Sequence, residues 1–438
     1  MPSASTGASA GMPSDAQPLH FADLRHRVGE PGFRRANLAL FAAGVATFAL
    51  LYSTQGLLPL ISDAMRLTPG QASWTASAAT LGLALALLPA SALSDRFGRT
   101  AVMTGSVFAA VLIGTALPFA PDITTLVLLR AVQGAALAGL PATAMAFLAE
   151  EVHPSALAGA MGLYVAGNSV GGMGGRLLTG WTGAAWGWRG GLAANAVLAL
   201  ACAVAFRLLI PAARNFHRSP VDARALARTV GGHLRNPLLV RLYALGALFM
   251  AVFGAVYNTV GYRLIAEPFH LPESVAASIF VVYLVGTVTS ATAGRLAERL
   301  GRRGALYVAI ATTTVGLLLS LAENLVCALL GLVLITGGFF AGHAVASSSV
   351  GRTATTGRAQ ASALYLIAYY VGNSLGGTVG ADAYHSAAWP GTVVVGLTAV
   401  TAAAGVTLYA TRRALADRRG ADRRGADRLS ADPVAAGR

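Results

Sequence analysis

The sequence predicts an all-α polytopic membrane protein with twelve transmembrane helices in two pseudo-symmetric bundles of six. Of the 438 residues, 55% are hydrophobic and 11% are charged, whereas about 25% of the residues in a soluble domain are charged. The apolar residues lie in runs of about 20, which is the length of helix that crosses a bilayer core. A ten-residue stretch also occurs twice, which predicts that one half of the chain repeats the other.

The twelve apolar runs define two halves, residues 37–210 and 238–411. The predicted helices are, in order, 37–61, 72–93, 101–120, 123–148, 157–181, 189–210, 238–262, 274–296, 304–322, 325–348, 360–384 and 391–411. Residues 1–36 are rich in Ala, Ser, Pro and Gly and lack the apolar core of a cleavable signal peptide, so we expect a disordered tail. Residues 412–438 repeat Ala-Asp-Arg-Arg-Gly, which cannot form a core, and we expect a disordered basic tail.

Residues 211–237 link the two halves. Leu226, Val230 and Leu234 recur every four residues, with arginines on the other faces. This spacing predicts an amphipathic helix that lies on the inner leaflet. A solvated linker with accidental spacing is the alternative.

Arginine placement predicts the orientation of the chain. All basic residues are arginine, and most of them collect in the loops and tails on one side of the predicted helices, while the predicted outer loops offer only Arg66, Arg189 and Arg263. Because arginine in short loops is retained in the cytoplasm, we expect a bacterial cytoplasmic membrane protein with both termini inside. The net charge of +14 then reflects topology and does not indicate a nucleic-acid partner. Cys202 and Cys327 lie far apart in apolar runs, so we expect no disulfide framework, metal site or cofactor.

The repeated stretch is a charged hairpin between two apolar helices. The copies read Ser-Ala-Leu-Ser-Asp-Arg-Phe-Gly-Arg-Thr at 91–100 and Gly-Arg-Leu-Ala-Glu-Arg-Leu-Gly-Arg-Arg at 294–303. A small first residue allows two helices to approach closely. We expect the acid to sit near a helix N-terminus and the arginines to reach across the gap between the halves, as a gate. The predicted gating residues are Asp95, Arg96, Gly98 and Arg99 in the first copy and Gly294, Glu298, Arg299, Gly301 and Arg302 in the second.

These two hairpins resemble the signature loops of the major facilitator superfamily, over residues 37–411. The resemblance implies two six-helix halves around one central cavity and transport by alternating access. A second repeat, Gly-Asn-Ser-x-Gly-Gly, occurs at 167–172 and 372–377. Its first copy is similar to the Gly-Pro-x-x-Gly-Gly element of antiporter branches, with Asn168 in place of proline. Glycines at this spacing allow two helices to touch backbone to backbone.

Arg130 lies seven residues into its predicted helix and Arg176 lies near the outer end of another, and a charge inside a membrane is costly and is functional by default. Arg130, in the segment Arg-x-x-Gln-Gly, resembles the helix-four motif of proton-coupled exporters, whose arginine is implicated in proton handling; a structural ion pair is the alternative. Arg176 can hold an anionic substrate or pair with Asp63 or Asp382. His343 is a histidine inside a helix and is suited to proton exchange, although a packed, hydrogen-bonded histidine is an equal alternative.

Polar and aromatic side chains within the helices predict a cavity for an amphipathic or aromatic small molecule. The predicted substrate and proton pathway is Tyr52, Gln55, Arg130, Gln133, Asn168, Arg176, Tyr257, Asn258, Tyr283, His343, Tyr369 and Asn373, with Tyr365 and Tyr370 as further cavity candidates.

We therefore expect a monomeric secondary transporter that exports a drug or metabolite by proton antiport. Proton-symport uptake of an organic solute is the first alternative, and a non-transporting receptor on the same fold is the second. No paired carboxylates, clustered histidines or phosphate-binding loop support an enzyme.

Overall fold

The computed structural model describes residues 25–216 and 223–431, and these residues are almost entirely helical. Nine helical segments of the described chain are long and apolar enough to cross a membrane, and three of them, Pro31–Met65, Ile123–Glu151 and Glu273–Leu319, each join two of the helices given below. Three of the nine are interrupted by non-helical residues, at Gly187, at Gly301 and at Ala387 with Ala388. Each interruption divides a helix in two, so the described chain contains the twelve predicted spans.

The first half contains seven helices and two short 3-10 segments. The helices are α1 Pro31–Leu51, α2 Leu58–Met65, α3 Pro69–Phe97, α4 Arg99–Ala116, α5 Ile123–Leu137, α6 Gly139–Glu151 and α7 Pro154–Leu209, and the 3-10 segments are Gln55–Leu57 and Leu117–Phe119. Proline in the first turn begins α1, α3 and α7, where its missing N–H group is not needed.

The linker and the second half contain six helices and one 3-10 segment. The helices are α8 Ala223–Arg235, α9 Pro237–Ile265, α10 Glu273–Ala277, α11 Tyr283–Leu319, α12 Leu325–Thr353 and α13 Arg358–Ala431, and the 3-10 segment is Ser278–Val282. The side chains of Asn236 and Asn324 accept hydrogen bonds from the first backbone N–H groups of α9 and α12.

Several elements differ from their predicted form. The predicted helix 37–61 is broken after Leu51 and continues as α2. The predicted helix 274–296 begins with a short α-turn and a 3-10 segment before α11. The backbone of α13 stays helical to Ala431, past the predicted start of a disordered tail at 412. Of the predicted N-terminal tail, residues 1–24 lie outside the described residues, and α1 already begins at Pro31.

The first charged hairpin and the linker meet at one end of the molecule, which we call the arginine-rich end. Arg99 forms an ion pair of 2.9 Å with Glu150 at the end of α6. The neighbouring Glu151 is buried and accepts a hydrogen bond of 2.8 Å from the backbone N–H of Arg214 in the linker. A buried carboxylate therefore fastens the start of the linker to the first half.

The second charged hairpin lies at the same end. Arg302 is close enough to Arg352, near the end of α12, to interact with it electrostatically. The next loop is tied to the linker helix α8, because His233 Nε2 lies 3.1 Å from the carbonyl oxygen of Gly357. The amphipathic helix predicted in the linker is present as α8, with Val230 packed against the second half.

The same glycine contacts recur in the two halves. On α7 the glycines lie against the backbone of α1 in the pairs Gly167 and Phe41, Gly171 and Val45, and Gly175 and Ala49. On α13 the glycines lie against α9 in the equivalent pairs Gly372 and Ala247, Gly376 and Ala251, and Gly380 and Ala255. The repeat in the sequence is therefore a repeat in helix packing, because only glycine allows these backbones to touch.

Each half has its own apolar core. Leu40, Phe147 and Phe206 belong to the large buried cluster of the first half, and Phe249 and Trp389 belong to that of the second. Each half can therefore move largely as one body, since tightly packed interiors are not continuously deformable.

Hydrogen bonds join the two halves toward the end opposite to the arginine-rich end. Ser374 Oγ on α13 donates to the carbonyl oxygen of Ser77 on α3 at 2.8 Å. Trp181 Nε1 on α7 donates to Ser278 Oγ at 3.0 Å, and the Tyr262 hydroxyl on α9 donates to a carbonyl of α2 at 2.8 Å. This end of the interface is closed.

Toward the arginine-rich end, α7 and α11 bury few of their residues. In this part of α7 the buried positions recur only every four residues, at Ala156, Ala160 and Tyr164. In residues 284–300 of α11 only Gly286 and Ala293 are buried. Each of these stretches is therefore packed on one side only.

We expect Gly171→Ala to destabilise the protein. A Cβ at this position would lie within 2.8 Å of three backbone atoms of Val45, so α1 and α7 would have to separate, at a cost of about 1–3 kcal/mol. Thermal unfolding in detergent measures the effect. Gly174→Ala on the same helix is the control, because nothing lies within 4 Å of its Cβ and alanine is favoured over glycine in a helix by about 1 kcal/mol. Equal stability of the two variants would contradict this helix contact.

Candidate functional site

Arg130 fills the break in the first membrane-spanning segment. α1 ends at Leu51, and the chain becomes helical again at Gln55. Arg130, on α5, is fully buried, and its guanidinium donates to the carbonyl oxygens of Leu50 at 2.7 Å and of Leu51. Its Nε donates to the carbonyl oxygen of Thr75 on α3 at 2.9 Å. A cation at a helix C-terminus satisfies carbonyls that have no partner within the helix. Among the described residues, the partners of Arg130 are these backbone carbonyls and the neutral side chains of Ser53 and Gln133, and none is the acid of an ion pair.

Gln133 holds this arginine in place. Its side-chain oxygen accepts from Arg130 Nη1 at 2.5 Å, and its amide donates to the carbonyl oxygen of Ala110 on α4 at 3.0 Å. Both side chains are fully buried. The Arg-x-x-Gln spacing is thus explained by one helical turn, which brings residues three apart to the same face.

Arg176 is a second buried arginine, and it lies near the interface of the halves. Its Nε donates to the side-chain oxygen of Gln55 at 2.5 Å, and Nη1 donates to the carbonyl oxygen of Gly172 at 2.5 Å. It forms no ion pair with any described carboxylate. The predicted pairing with Asp63 or Asp382 is therefore wrong: Asp382 lies instead against Gly70 at the start of α3.

Gln55 connects Arg176 to the other half of the molecule. While its oxygen accepts from Arg176, its amide donates to the side-chain oxygen of Asn258 on α9 at 2.7 Å. All three residues are buried. The amide nitrogen of Asn258 has no hydrogen-bond partner within the described chain. A continuous polar connection therefore crosses the interface of the halves at the height of the α1 break.

Three aromatic rings surround the guanidinium of Arg176. Its central carbon lies 3.8 Å from the ring centre of Tyr52, 4.7 Å from that of Tyr283 and 5.5 Å from that of Phe280. Tyr52 comes from the first half and the other two from the second. Aromatic faces attract a cation, which partly compensates for its burial.

The aromatic cluster continues through the second half. Tyr257 packs edge to face with Tyr283 at 5.0 Å between ring centres, and its hydroxyl shares a hydrogen bond of 2.6 Å with Thr336. Phe253 stacks on Phe339 at 4.0 Å. The Tyr283 hydroxyl is buried and has no partner among the described groups.

His343 lies at the far end of this cluster. Its ring centre is 4.8 Å from that of Tyr369, and its Nδ1 shares a hydrogen bond of 2.9 Å with the Tyr365 hydroxyl. Tyr369 packs against the cores of both halves, so it also lies at their interface, and its ring centre is 5.1 Å from that of Tyr370.

Asn168 and Asn373 are placed within helix pairs and not at the arginine. The oxygen of Asn168 points at Gly44 on α1. Asn373 lies beside Gly254 on α9, and its amide donates to Thr80 Oγ1 on α3 at 3.2 Å. The repeated asparagines therefore contribute to helix packing, and the second one also joins the halves.

The first hairpin is held within its own half. Arg99 donates to the carboxylate of Asp95 at 2.5 Å as well as to Glu150, and Gly98 turns the chain with a φ of 101°. Arg96 is exposed and packs over the ring of Phe97. Arg99 thus does not reach across the gap as predicted, because its partners on α3 and α6 lie closer.

The second hairpin has the same turn without the same ion pairs. Gly301 turns the chain with a φ of 71°. Glu298 and Arg299 are exposed, and nothing described lies within 4 Å of a Cβ at Gly294. Arg302 lies near Arg303 and Arg352 and forms no ion pair with a described carboxylate. The two hairpins are alike in backbone and unlike in charge pairing, and neither closes the gap in this conformation.

Sequence reasoning overlooked the phenylalanines of the site. They are Phe253, Phe280, Phe339 and Phe340. The polar residues of the site stand out in the sequence because polar side chains are rare in membrane-spanning helices. Phenylalanine is common in such helices and therefore does not stand out. The signal was spacing: Phe253 precedes Tyr257 by four residues and Phe339 precedes His343 by four, so each pair shares a helix face.

Metal chemistry has no support within residues 25–216 and 223–431, since no three His, Cys, Asp or Glu side chains gather there. Cys202 and Cys327 are both free thiols.

The chain matches the family model described as Major Facilitator Superfamily over residues 40–262 and 242–433. Two curated relatives align along most of the chain. The inner membrane transport protein YnfM of Escherichia coli K12 is 39% identical over 363 residues, which is 83% of this chain and 87% of that protein. The uncharacterized MFS-type transporter YybF of Bacillus subtilis 168 is 38% identical over 367 residues, which is 84% of this chain and 91% of that protein.

A solved structure has the same fold. The inward-facing, unoccupied structure of a bacterial homologue of the human lysosomal transporter Spinster aligns with a TM-score of 0.73, covering 89% of this chain and 98% of that one. Its sequence is 18% identical, so the likeness is one of fold alone.

We expect Arg130→Lys to destabilise the protein although the charge is kept. A lysine ammonium is a single donor centre, so it cannot replace the planar fork that reaches Leu50, Leu51 and Thr75 together. The carbonyl oxygen of Leu50 also accepts from the backbone N–H of Ser53, so the loss falls mainly on the carbonyl of Leu51, and leaving a buried carbonyl unpaired costs about 1–3 kcal/mol. Thermal unfolding in detergent gives the comparison, with exposed Arg207→Lys as the control. An unchanged melting temperature for Arg130→Lys would refute the capping role.

Proposed function

The chain belongs to the major facilitator superfamily, and on that premise we propose that it exports a small organic molecule across the bacterial cytoplasmic membrane in exchange for protons. In this proposal the two halves rock about the site at Arg176, which opens to one side at a time. The observation that supports it is the position of the site: it lies between two separately packed bundles that are joined toward one end by bonds such as Gln55 to Asn258.

The arginine-rich end is the cytoplasmic end in this proposal. Short loops there carry Arg96, Arg99, Arg299 and Arg302, and arginine in short loops is retained inside the cell. In this proposal the site gains access to the cytoplasm when the halves separate at that end. Substrate enters from that side, and separation of the closed contacts releases it outside.

Export is supported by the resemblance of the Arg130 segment to the helix-four motif of proton-coupled exporters. Because Arg130 donates to carbonyls at the α1 break, we assign it the task of shaping the site at Tyr52 and Gln55. The proton then needs another carrier.

We assign proton transfer to His343. Described carboxylates, such as Asp63, Asp95 and Asp382, lie near the ends of the membrane-spanning segments. His343 lies inside α12, and histidine is the side chain whose charge normally changes near neutral pH. Its contact with Tyr369 places it at the interface, where rocking of the halves would change its access to water.

We expect His343→Gln to abolish proton-driven transport and to spare substrate exchange. The substrate is a compound to which the chain confers resistance in an efflux-deficient strain. In proteoliposomes with an acidic lumen, protons leaving through the wild-type protein should drive that compound into the lumen. The variant should not accumulate it. Counterflow with no pH gradient should persist, because the glutamine side chain can form similar hydrogen bonds but does not take up or release a proton. Exposed His385→Gln is the control.

Two results would contradict this proposal. If a lumen more acidic than the medium keeps the compound out and an alkaline lumen draws it in, the coupling is symport and the direction is uptake. If His343→Gln keeps full proton-driven accumulation, the proton carrier is another group.

A further inference from the structure

Arg176 is a buried cation without a counter-ion. The residue is 2% exposed, and no described carboxylate pairs with it. Its neighbours Gln55 and Gly172 supply neutral oxygens, which stabilise the guanidinium less than a carboxylate would. An unpaired charge in a low-dielectric interior is costly, so an anion that reached this position would gain a strong interaction.

The guanidinium also has donors to spare. Arginine carries five N–H groups, and the bonds to Gln55 and Gly172 use Nε and one hydrogen of Nη1. The Tyr52 hydroxyl is a further hydrogen-bonding neighbour of the guanidinium, so at least two of the five N–H groups remain for a ligand. Two N–H groups of one guanidinium match the two oxygens of a carboxylate, the geometry in which arginine binds acids most strongly.

The surroundings of the arginine specify the rest of a ligand. The rings of Tyr52, Tyr283 and Phe280 lie around the charge, and Phe253 and Phe339 continue the apolar wall. Flat apolar groups pack well against aromatic faces. The buried Tyr283 hydroxyl, which has no partner in the described chain, can donate to a ligand oxygen.

The same surroundings disfavour organic cations. A cation beside Arg176 would meet a like charge, and the described carboxylates lie near the ends of the spans. The charge of the site therefore selects against a large class of amphipathic amines.

We propose that the substrates are organic anions, namely a carboxylate on a flat aromatic body, with Arg176 binding the carboxylate. This rests on the proposed transport function and names the substrate class of the same site. The carboxylate would occupy the free edge of the guanidinium, and the aromatic body would lie toward the Tyr283 and Phe339 side.

Ligands of matched shape test the charge preference. The probes are benzoate, 2-naphthoate and indole-3-acetate, each compared with its neutral amide, and 2-naphthylmethylammonium as the cation. Binding to the purified full-length chain is measured by calorimetry and by the shift in melting temperature. We expect at least one carboxylate to bind about tenfold or more tightly than its amide, as for a hydrogen-bonded ion pair, and the ammonium to bind least.

Variants show whether Arg176 is responsible. Arg176→Gln should remove the preference for the carboxylate, and Arg176→Lys should retain it in weakened form, because an ammonium lacks the two-pronged fork. Arg207→Gln, an exposed arginine at the arginine-rich end, should bind as the wild type does. The melting temperature of each variant without ligand shows whether the variant is folded. If Arg176→Gln is not folded, the weakened carboxylate preference of Arg176→Lys tests the same role.

The outcomes separate substrate class from transport. If no carboxylate in the panel binds more tightly than its amide, or if the preference survives in Arg176→Gln, the anion proposal is overturned. If a proton gradient drives a cation across proteoliposomes and that cation competes with the carboxylates for this site, the anion proposal is overturned and the transport proposal stands. Arg176-dependent carboxylate binding without movement in any gradient would support the site and refute transport.

Discussion

The site depends on one buried cation that holds a helix broken. A continuous first helix would satisfy the carbonyls of Leu50 and Leu51 itself, but here they accept hydrogen bonds from Arg130. Inside a membrane no water is available to replace those bonds, so a break of this kind needs a fixed donor from the protein. Gln55 follows this break at the interface of the halves. Its side chain forms hydrogen bonds with both Arg176 and Asn258 and so connects them.

The two buried arginines illustrate how similar residues acquire different roles. Arg130 is surrounded by carbonyls and by Gln133, so its hydrogen-bonding capacity is largely used within the protein. Arg176 has Gln55, Gly172 and the Tyr52 hydroxyl as polar neighbours and three aromatic rings around it, and it lies between bundles that can move relative to each other. The first is therefore suited to holding shape, and the second to binding. Burial alone does not distinguish them, since both side chains are almost fully buried.

The helix packing is the same in the two halves, whereas the side chains that form the site differ between them. Glycines such as Gly171 and Gly376 make the same backbone contact in each half. The site is not duplicated: both arginines come from the first half, and most of the aromatic wall comes from the second. The hairpins follow the same division, with ion pairs at Arg99 and like charges at Arg302. An asymmetric site between symmetric bundles allows one ligand to contact both halves.

The sequence by itself determined the membrane class, the twelve spans, the repeat and the family resemblance, because run length, arginine placement and glycine spacing are local in the chain. It also selected Arg130, Arg176 and Gln55, since polar groups inside apolar runs are conspicuous. Only the tertiary structure decided their partners. Whether Arg176 contacts Asp382 or Gln55 depends on where α1 breaks and on how the two halves pack against each other. Such contacts join residues that are far apart in the sequence, since 121 positions separate Gln55 and Arg176.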